Sequence, residues 1–452
     1  MLRIRLVALA CLILLPILLS AQQTEQGVLT LKQSIEIGLQ NNRTLKNTLL
    51  DEEKAAYQRK EIIGSGLPQV NITGGYNNFI NVFPQALPGG FFGDSEPGSV
   101  DVIAFGVPQS LRVGASVNQL LFSSSYLVGL KAAKTSEEFY RLLSQQSEED
   151  VIYDISMNYL GSLQLELQKE NLLANIDQLT GLEKILRAQV KNDLVRKVDL
   201  NRVTVNLSTL ETELENLEIG IAQRKNYLKL LMGIPMDSSF NLDESLLEDP
   251  RAREVMLVED LDAENRMDIQ VLDKQQSLLD LEYKNIKASR HPMLVAFGDL
   301  NRNAFSNRFD FLSEGKIWYQ GFLVGLKLDI PIFDGFATKY RASQNKVNQR
   351  QLEQNRAMAM DAAQMEYENA TKKYFNSLKT LDAVAENLNL ADEVLRETTL
   401  LYKESLSPLT DLLEAESTQR KAQANFNNQL VQVQIARVEL LKSTGNIKKI
   451  LL

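Results

Sequence analysis

Three acids stand where charge could do work. Asp411 and Glu414 lie three residues apart, on one face of a helix that starts near Ser407-Pro408. Asp199 occupies the matching place about 212 residues earlier. A carboxylate in the first turn of a helix meets the positive end of the helix dipole, and that alone is reason enough for it. Repeated around a symmetry axis, the same acids would form a ring, and acidic rings draw cations to a constriction. Both readings are open on these residues. Arg196 and Lys197 at the first turn, with Leu406 and Ser407 at the second, face either a partner or solvent.

Other chemistry is sparse. The chain has one cysteine, Cys11, and one histidine, His291. No disulfide, thiolate zinc site, histidine metal cluster or histidine-based triad can be assembled from them. There is no glycine-rich phosphate loop, no His-Glu-x-x-His and no nucleophile elbow. We therefore expect no enzyme, no cofactor and no bound metal. Lys and Arg total 49 against 58 Asp and Glu, a net charge of −9, which argues against a nucleic-acid partner. His291 precedes Pro292 and reads as a strand-start residue. Met358, Met360 and Met365 fall at core-like helical spacing and read as packing, not as a metal path.

The elements that hold the acids are long helices. Leu381, Val384, Leu388, Ala391, Leu395, Thr398 and Tyr402 step by three and four, as a coiled-coil seam does. Phe426, Leu430 and Val433 resume that stepping beyond the turn. A second seam of Leu172, Ile176, Leu179, Leu186 and Val190 leads into residues 192–200, which align with 404–412. Val203, Leu207, Leu210, Leu214, Leu217 and Ile221 lead away. The chain is thus an internal duplication, each copy carrying a helical hairpin with an acid just past its tip. Ser407 suits an N-cap and Pro408 the first helical position.

In order, residues 1–21 read as a signal peptide, with Arg3 and Arg5 before an apolar run and Leu19-Ser20-Ala21 as cleavage site. Residues 22–66 hold a helix capped by Thr30 and running to about Ile63. Residues 67–122 alternate in period two and predict two strands joined by a Pro- and Gly-rich loop. Residues 123–233 form the first long hairpin, whose first helix of about 70 residues would span roughly 105 Å. An acidic connector covers 234–261, and 262–290 repeat the first helix. Residues 291–334 hold the second strand pair, and 335–452 the second long hairpin, entered through Ile332-Phe333-Asp334-Gly335.

Along 322–330, Phe322, Val324, Leu326, Leu328 and Ile330 share one face, with Gly325, Lys327 and Asp329 on the other. A membrane barrel wall and a soluble sheet with one buried face both alternate this way. Phe305, Phe309, Trp318 and Tyr319 near the hairpin end favour a membrane interface. Four strands cannot close a barrel with a lumen, whereas three chains would supply about twelve. The rival reading is an exported coiled-coil scaffold without a pore, which leaves the matched strands unexplained.

The order and duplication of these pieces resemble the TolC-like outer-membrane efflux proteins. The resemblance covers nearly the whole mature chain, through Leu29 to Asn42, Leu67-Pro68, Phe333-Asp334-Gly335 and the Asp411-Leu412-Leu413-Glu414-Ala415 run. It implies a mainly α fold with a membrane β-barrel: a homotrimer whose four strands per chain close a twelve-stranded barrel above an α-helical tunnel. It also implies a location in the cell outer membrane, in contact with its lipid and with a large periplasmic portion. The partners implied are a periplasmic adaptor and an inner-membrane pump. The role implied is a passive duct for efflux or type I secretion, its tip closed by acids matching Asp411, Glu414 and Asp199. The chain departs from the family at Ser405 and Asp193, where glycine is frequent, at Pro408, and at Ser407, where some relatives place a basic gate residue.

Overall fold

A computed structural model describes residues 27–90, 96, 98–104, 106–248 and 260–451. The expected signal peptide lies outside the described residues. Two compact units divide the chain, one of residues 1–51, 141–272 and 355–452, the other of 52–140 and 273–354. The elements in chain order are β1 (Val28–Leu29), α1 (Leu31–Asn41), α2 (Arg43–Ser65), β2 (Gln69–Asn78), β3 (Pro84–Pro88), β4 (Val100–Ala104) and β5 (Gln109–Ser123). Then come α3 (Ser124–Lys191), α4 (Lys197–Met232), β6 (Asn241–Leu242), α5 (Ser245–Glu248) and α6 (Met267–Ala288). Strands β7 (Met293–Ser306) and β8 (Tyr319–Asp329) precede α7 (Ala337–Lys403), α8 (Leu409–Ser443) and a final 3-10 turn (Ile447–Leu451).

In the first unit, Thr30 caps α1 as expected. Its hydroxyl accepts from the Gln33 N–H at 3.1 Å, and the Gln33 side chain accepts from the Thr30 N–H at 3.0 Å, a reciprocal capping box. The expected single helix to Ile63 is broken at Asn42. The Asn42 side-chain Oδ1 accepts the Leu45 N–H at 3.0 Å, capping α2, while its side-chain Nδ2 donates to Leu231 O at 2.7 Å. The break therefore ties the α1–α2 joint to the end of α4. That end turns at Gly233, with φ +68°, so close to Asn41 that an added Cβ would lie 2.3 Å from Asn41 O. Glycine is required there for both conformation and space.

The core beside this joint joins Ile35 of α1, Ile152, Ile155, Tyr159 and Leu163 of α3, Leu228 and Met232 of α4, and Val431, Ile435 and Val438 of α8. The Tyr159 hydroxyl, 2.8 Å from Leu29 O, accepts from the Asp243 N–H at 3.0 Å. It fastens the parallel β1–β6 pair to α3. Arg266, buried ahead of α6, donates to both Asp268 oxygens (3.1 and 2.8 Å), to Glu366 (3.0 Å) and to Ser443 O (3.2 Å). One guanidinium so links the start of α6, the middle of α7 and the end of α8, as its planar fork of donors permits.

The second unit holds a four-stranded antiparallel sheet in the order β2-β5-β7-β8. The strand pairs of the two copies meet through β5 and β7, and β2 and β8 are the edges. A bulge at Leu120/Phe122 interrupts the β5–β7 register. Val70, Ile72, Phe322, Val324, Leu326, Leu328 and Ile330 are all exposed. The expected loop after β2 carries a further hairpin: β3 and β4 pair antiparallel as a separate two-stranded sheet. Its prolines and glycines masked the short alternating runs between them. The second long helix also starts later than Ile332. Gly335 and Phe336 both take positive φ, 64° and 65°, and α7 begins at Ala337, its Thr338 N–H capped by Asp334 at 2.8 Å.

Candidate functional site: the two hairpin tips

The seams close on one another. Leu179 and Leu186 of α3, Val203 of α4, and Leu409 and Leu412 of α8 are buried together, with Leu395 and Tyr402 of α7 packed against them. Period-3.6 stepping on four helices thus yields one apolar cluster that fixes both tips. These residues are the ones the sequence stepping singled out, with Leu409 and Leu412 added from the segment just past the turn.

The tips share one backbone design. α3 ends with Asp193 at φ 57° and α7 with Ser405 at φ 62°. At the first tip the Asp193 N–H reaches Val190 O (3.1 Å) and the Leu194 N–H reaches Gln189 O (3.0 Å). At the second, Ser405 reaches Tyr402 O (2.9 Å) and Leu406 reaches Leu401 O (2.8 Å). These are two Schellman closures with non-glycine residues in the left-handed position, where glycine costs nothing. Aspartate visits this region more readily than serine does. The leucine that follows usually packs back on its helix. Here Leu194 and Leu406 stay 73% and 74% exposed.

The next helices begin alike, α4 with Arg196 and α8 with Pro408 as N-cap residues, neither with a side-chain capping bond. This corrects the expectation for Ser407 and Pro408. Pro408 stands one place earlier than its expected first helical position, and the Ser407 hydroxyl instead donates to Asp411 at 3.0 Å. The missing proline N–H costs nothing at that place.

The three acids differ in setting. Asp199 is buried and takes Arg196 at 3.2 and 3.4 Å. Arg196 itself is largely exposed, and Lys197 beside it opens α4 in solvent. Asp411 is exposed and held by Ser407 and, at 3.3 Å, by the Thr410 hydroxyl. Glu414 is exposed one turn further along α8. Asp411 and Glu414 therefore share an open face, while Asp199 sits in the packed seam.

Two further groups belong to this region. Burial, and then the nearby Asp199 charge, raise the Tyr402 phenol above its ordinary value, so the end of α7 and the start of α4 are within electrostatic reach. The spacing marked Tyr402 only as a seam residue. Glu416 is buried one turn above the tip cluster, and Gln178 of α3 donates to its Oε1 at 2.8 Å. Burial raises its carboxyl, against the pull of Arg420 and the Gln178 bond. Glu416 stands beside Ala415 in the quoted Asp411-to-Ala415 run, yet nothing in that run marks it as buried. Above it, α3, α4 and α8 line a groove of about 660 Å³ with Asn171, Leu172, Leu217 and Arg420. No three carboxylate, thiol or imidazole groups come together as a metal cluster among the described residues.

The fold matches solved outer-membrane channels over nearly its whole length. VceC from Vibrio cholerae aligns with a TM-score of 0.70 at 14% identity, covering 92% of this chain and 96% of that one. The Campylobacter jejuni CmeC outer membrane channel gives 0.72 at 16% identity, with 92% and 86% covered. The open state of the Neisseria gonorrhoeae MtrE outer membrane channel gives 0.69 at 18%, with 92% and 89% covered. The chain therefore has the outer-membrane channel fold, mainly helical with few strands. Residues 260–446, from just before α6 to just past α8, match the family described as outer membrane efflux protein. No curated protein sequence matches the chain significantly.

Proposed function

We propose that this chain is the outer-membrane exit duct of a tripartite efflux or type I secretion system. The observation that carries this reading is the β2-β5-β7-β8 sheet, with its exposed apolar face and two unpaired edges, on a chain that also builds two matched helical hairpins. In lipid an open edge is costly, so the sheet must be closed by further strands. Strands β2 and β8 run in opposite directions, so β2 of one copy can pair antiparallel with β8 of the next. Three copies close about twelve strands, enough for a lumen. The protein then sits in the cell outer membrane with its hairpins in the periplasm.

The duct is passive, and no catalysis is assigned to it. A periplasmic adaptor and an inner-membrane pump dock on the tips and supply the energy. Leu194 and Leu406, with Arg196, Lys197 and Ser407, form the contact they meet. Asp411 and Glu414 line the closed tip, where three copies place up to about six carboxylates, an arrangement that selects for cations. Asp199 is held by Arg196 within the first tip, in electrostatic reach of Tyr402 at the end of α7. Opening loosens the packing of α8 against α3 and α4 around Leu409 and Leu412.

The test is single-channel conductance of the purified protein in a planar bilayer, beside an Asp411→Ala, Glu414→Ala variant. Small conductance in the parent and larger conductance in the variant is the expected result. Equal conductance would remove the acidic gate and leave the channel. A folded protein that never inserts, and that alkaline carbonate strips from membranes, would instead be a scaffold without a pore.

A further inference from the structure

The β3–β4 hairpin has an unusual face. Its register pairs Pro84 with Ala104, Ala86 with Val102 and Pro88 with Val100. Paired residues of a ladder share a face, and alternate residues repeat it. One side therefore carries only apolar residues, all six of them exposed, Val100 and Val102 at 66% each. The other side carries Leu87, Asp101 and Ile103, which are half-buried, and Gln85, which is exposed. A wholly apolar face left open marks a contact surface. Pro84 and Pro88 withhold N–H groups from the β3 edge, which discourages another strand from adding there. The occupant must therefore lie on the face.

The chain's own neighbouring connection is engaged elsewhere. Between β7 and β8, Phe309 and Phe311 stack edge-on against Tyr76 of β2, at 5.5 and 6.0 Å between ring centres. At the start of β8, Ile317 and Tyr319 remain exposed at 67% and 57%. The hairpin leaves the sheet directly from β2, an edge strand. In the closed trimer proposed above, the strand beside β2 is β8 of the next copy. Antiparallel pairing sets the last residues of β2 against the first residues of that β8, so Ile317 and Tyr319 of the next copy arrive where β3 departs.

We propose that the apolar face of the β3–β4 hairpin docks on the β8 entrance of the next copy, around Ile317 and Tyr319, and clasps adjacent subunits at the outer end of the barrel. The inference rests on the trimeric reading and adds a contact outside the strand ladder. It assigns the hairpin a structural partner, a second copy of this chain, in place of lipid or solvent.

Cysteine pairing tests it. Val102→Cys combined with Ile317→Cys is oxidised in detergent and run on a non-reducing gel, after native mass spectrometry has measured the copy number. The expected result is disulfide-linked dimers and trimers in the double variant, absent from either single variant and from the parent. A short bismaleimide repeats the test without the geometric demands of a disulfide. A trimer that gives no linked copies with either reagent, or only an internally linked single chain, overturns the clasp while leaving the duct intact. A folded monomer in the native spectrum overturns both. As a second check, Val102→Asp should dissociate the trimer in warm detergent sooner than the parent, whereas Gln85→Asp, on the opposite face, should not. Equal behaviour of the two variants also counts against the clasp.

Discussion

Replacing Glu149 by glutamine should remove a pH dependence from the folded protein. Glu149 lies on α3, and burial pushes its carboxyl up to about 7 from an ordinary 4.5. Lys448 of the final 3-10 turn pulls the other way, while Asp150 and Glu148 of α3 and Asp268 of α6 add to the rise. Between pH 4.5 and about 7 the folded chain holds a proton that the unfolded chain has lost. Stability must then fall as pH climbs through that window, and the loss is complete above it. The full gap corresponds to roughly 3 kcal/mol. Glu149 keeps some contact with water and is drawn to Lys448, so about 1–2 kcal/mol is the working figure. Glu149→Gln should match the parent near pH 4.5 and exceed it by that amount near pH 8, read from chemical or thermal unfolding followed by circular dichroism. Asp154, also raised by burial, leaves the variant a smaller slope of the same sign. A variant no more stable than the parent at pH 8, or equally stabilised at both pH values, would refute the burial argument.

Three other perturbations follow from the geometry. Ser405→Gly should relieve the left-handed strain at the second tip by about 1 kcal/mol, slowing hydrogen exchange of the Leu406 amide roughly fivefold, with a smaller effect for Asp193→Gly. Exchange that is unchanged or faster would contradict the strain assignment. Gly233→Ala forces a Cβ against Asn41 O and a side chain into positive φ; it should cost about 3 kcal/mol or more in unfolding free energy and yield little folded protein. Leu179→Ala removes a fully buried side chain from the tip cluster and should cost about 2–5 kcal/mol, while raising the open probability of the channel in bilayer recordings, since Leu409 and Leu412 lose a packing partner.

The extent of the long helices was legible because their apolar steps follow the 3.6-residue turn, and those steps needed no tertiary context. The Thr30 cap and the two outer strand pairs were legible from equally local signals, cap chemistry and period-two alternation. The β3–β4 hairpin was not, because five-residue strands among prolines and glycines leave too short a period to detect. Nor was the break at Asn42 read, although asparagine is a common N-cap; the apolar stepping runs on past it, and its tie to Leu231 O is seen only in the folded chain. At the site, sequence placed Asp199 and Asp411 in equivalent first turns and Glu414 three residues beyond Asp411 on the same face. Only the folded chain separated them, burying Asp199 beside Arg196 and leaving Asp411 and Glu414 open. Glu416 and Tyr402 gained their meaning from neighbours more than 200 residues away, on the first hairpin. Periodicity fixes which face of an element is apolar, since that is a property of local geometry. Which charge loses its water depends on what the other elements bring against that face, and that is decided only when the chain has packed.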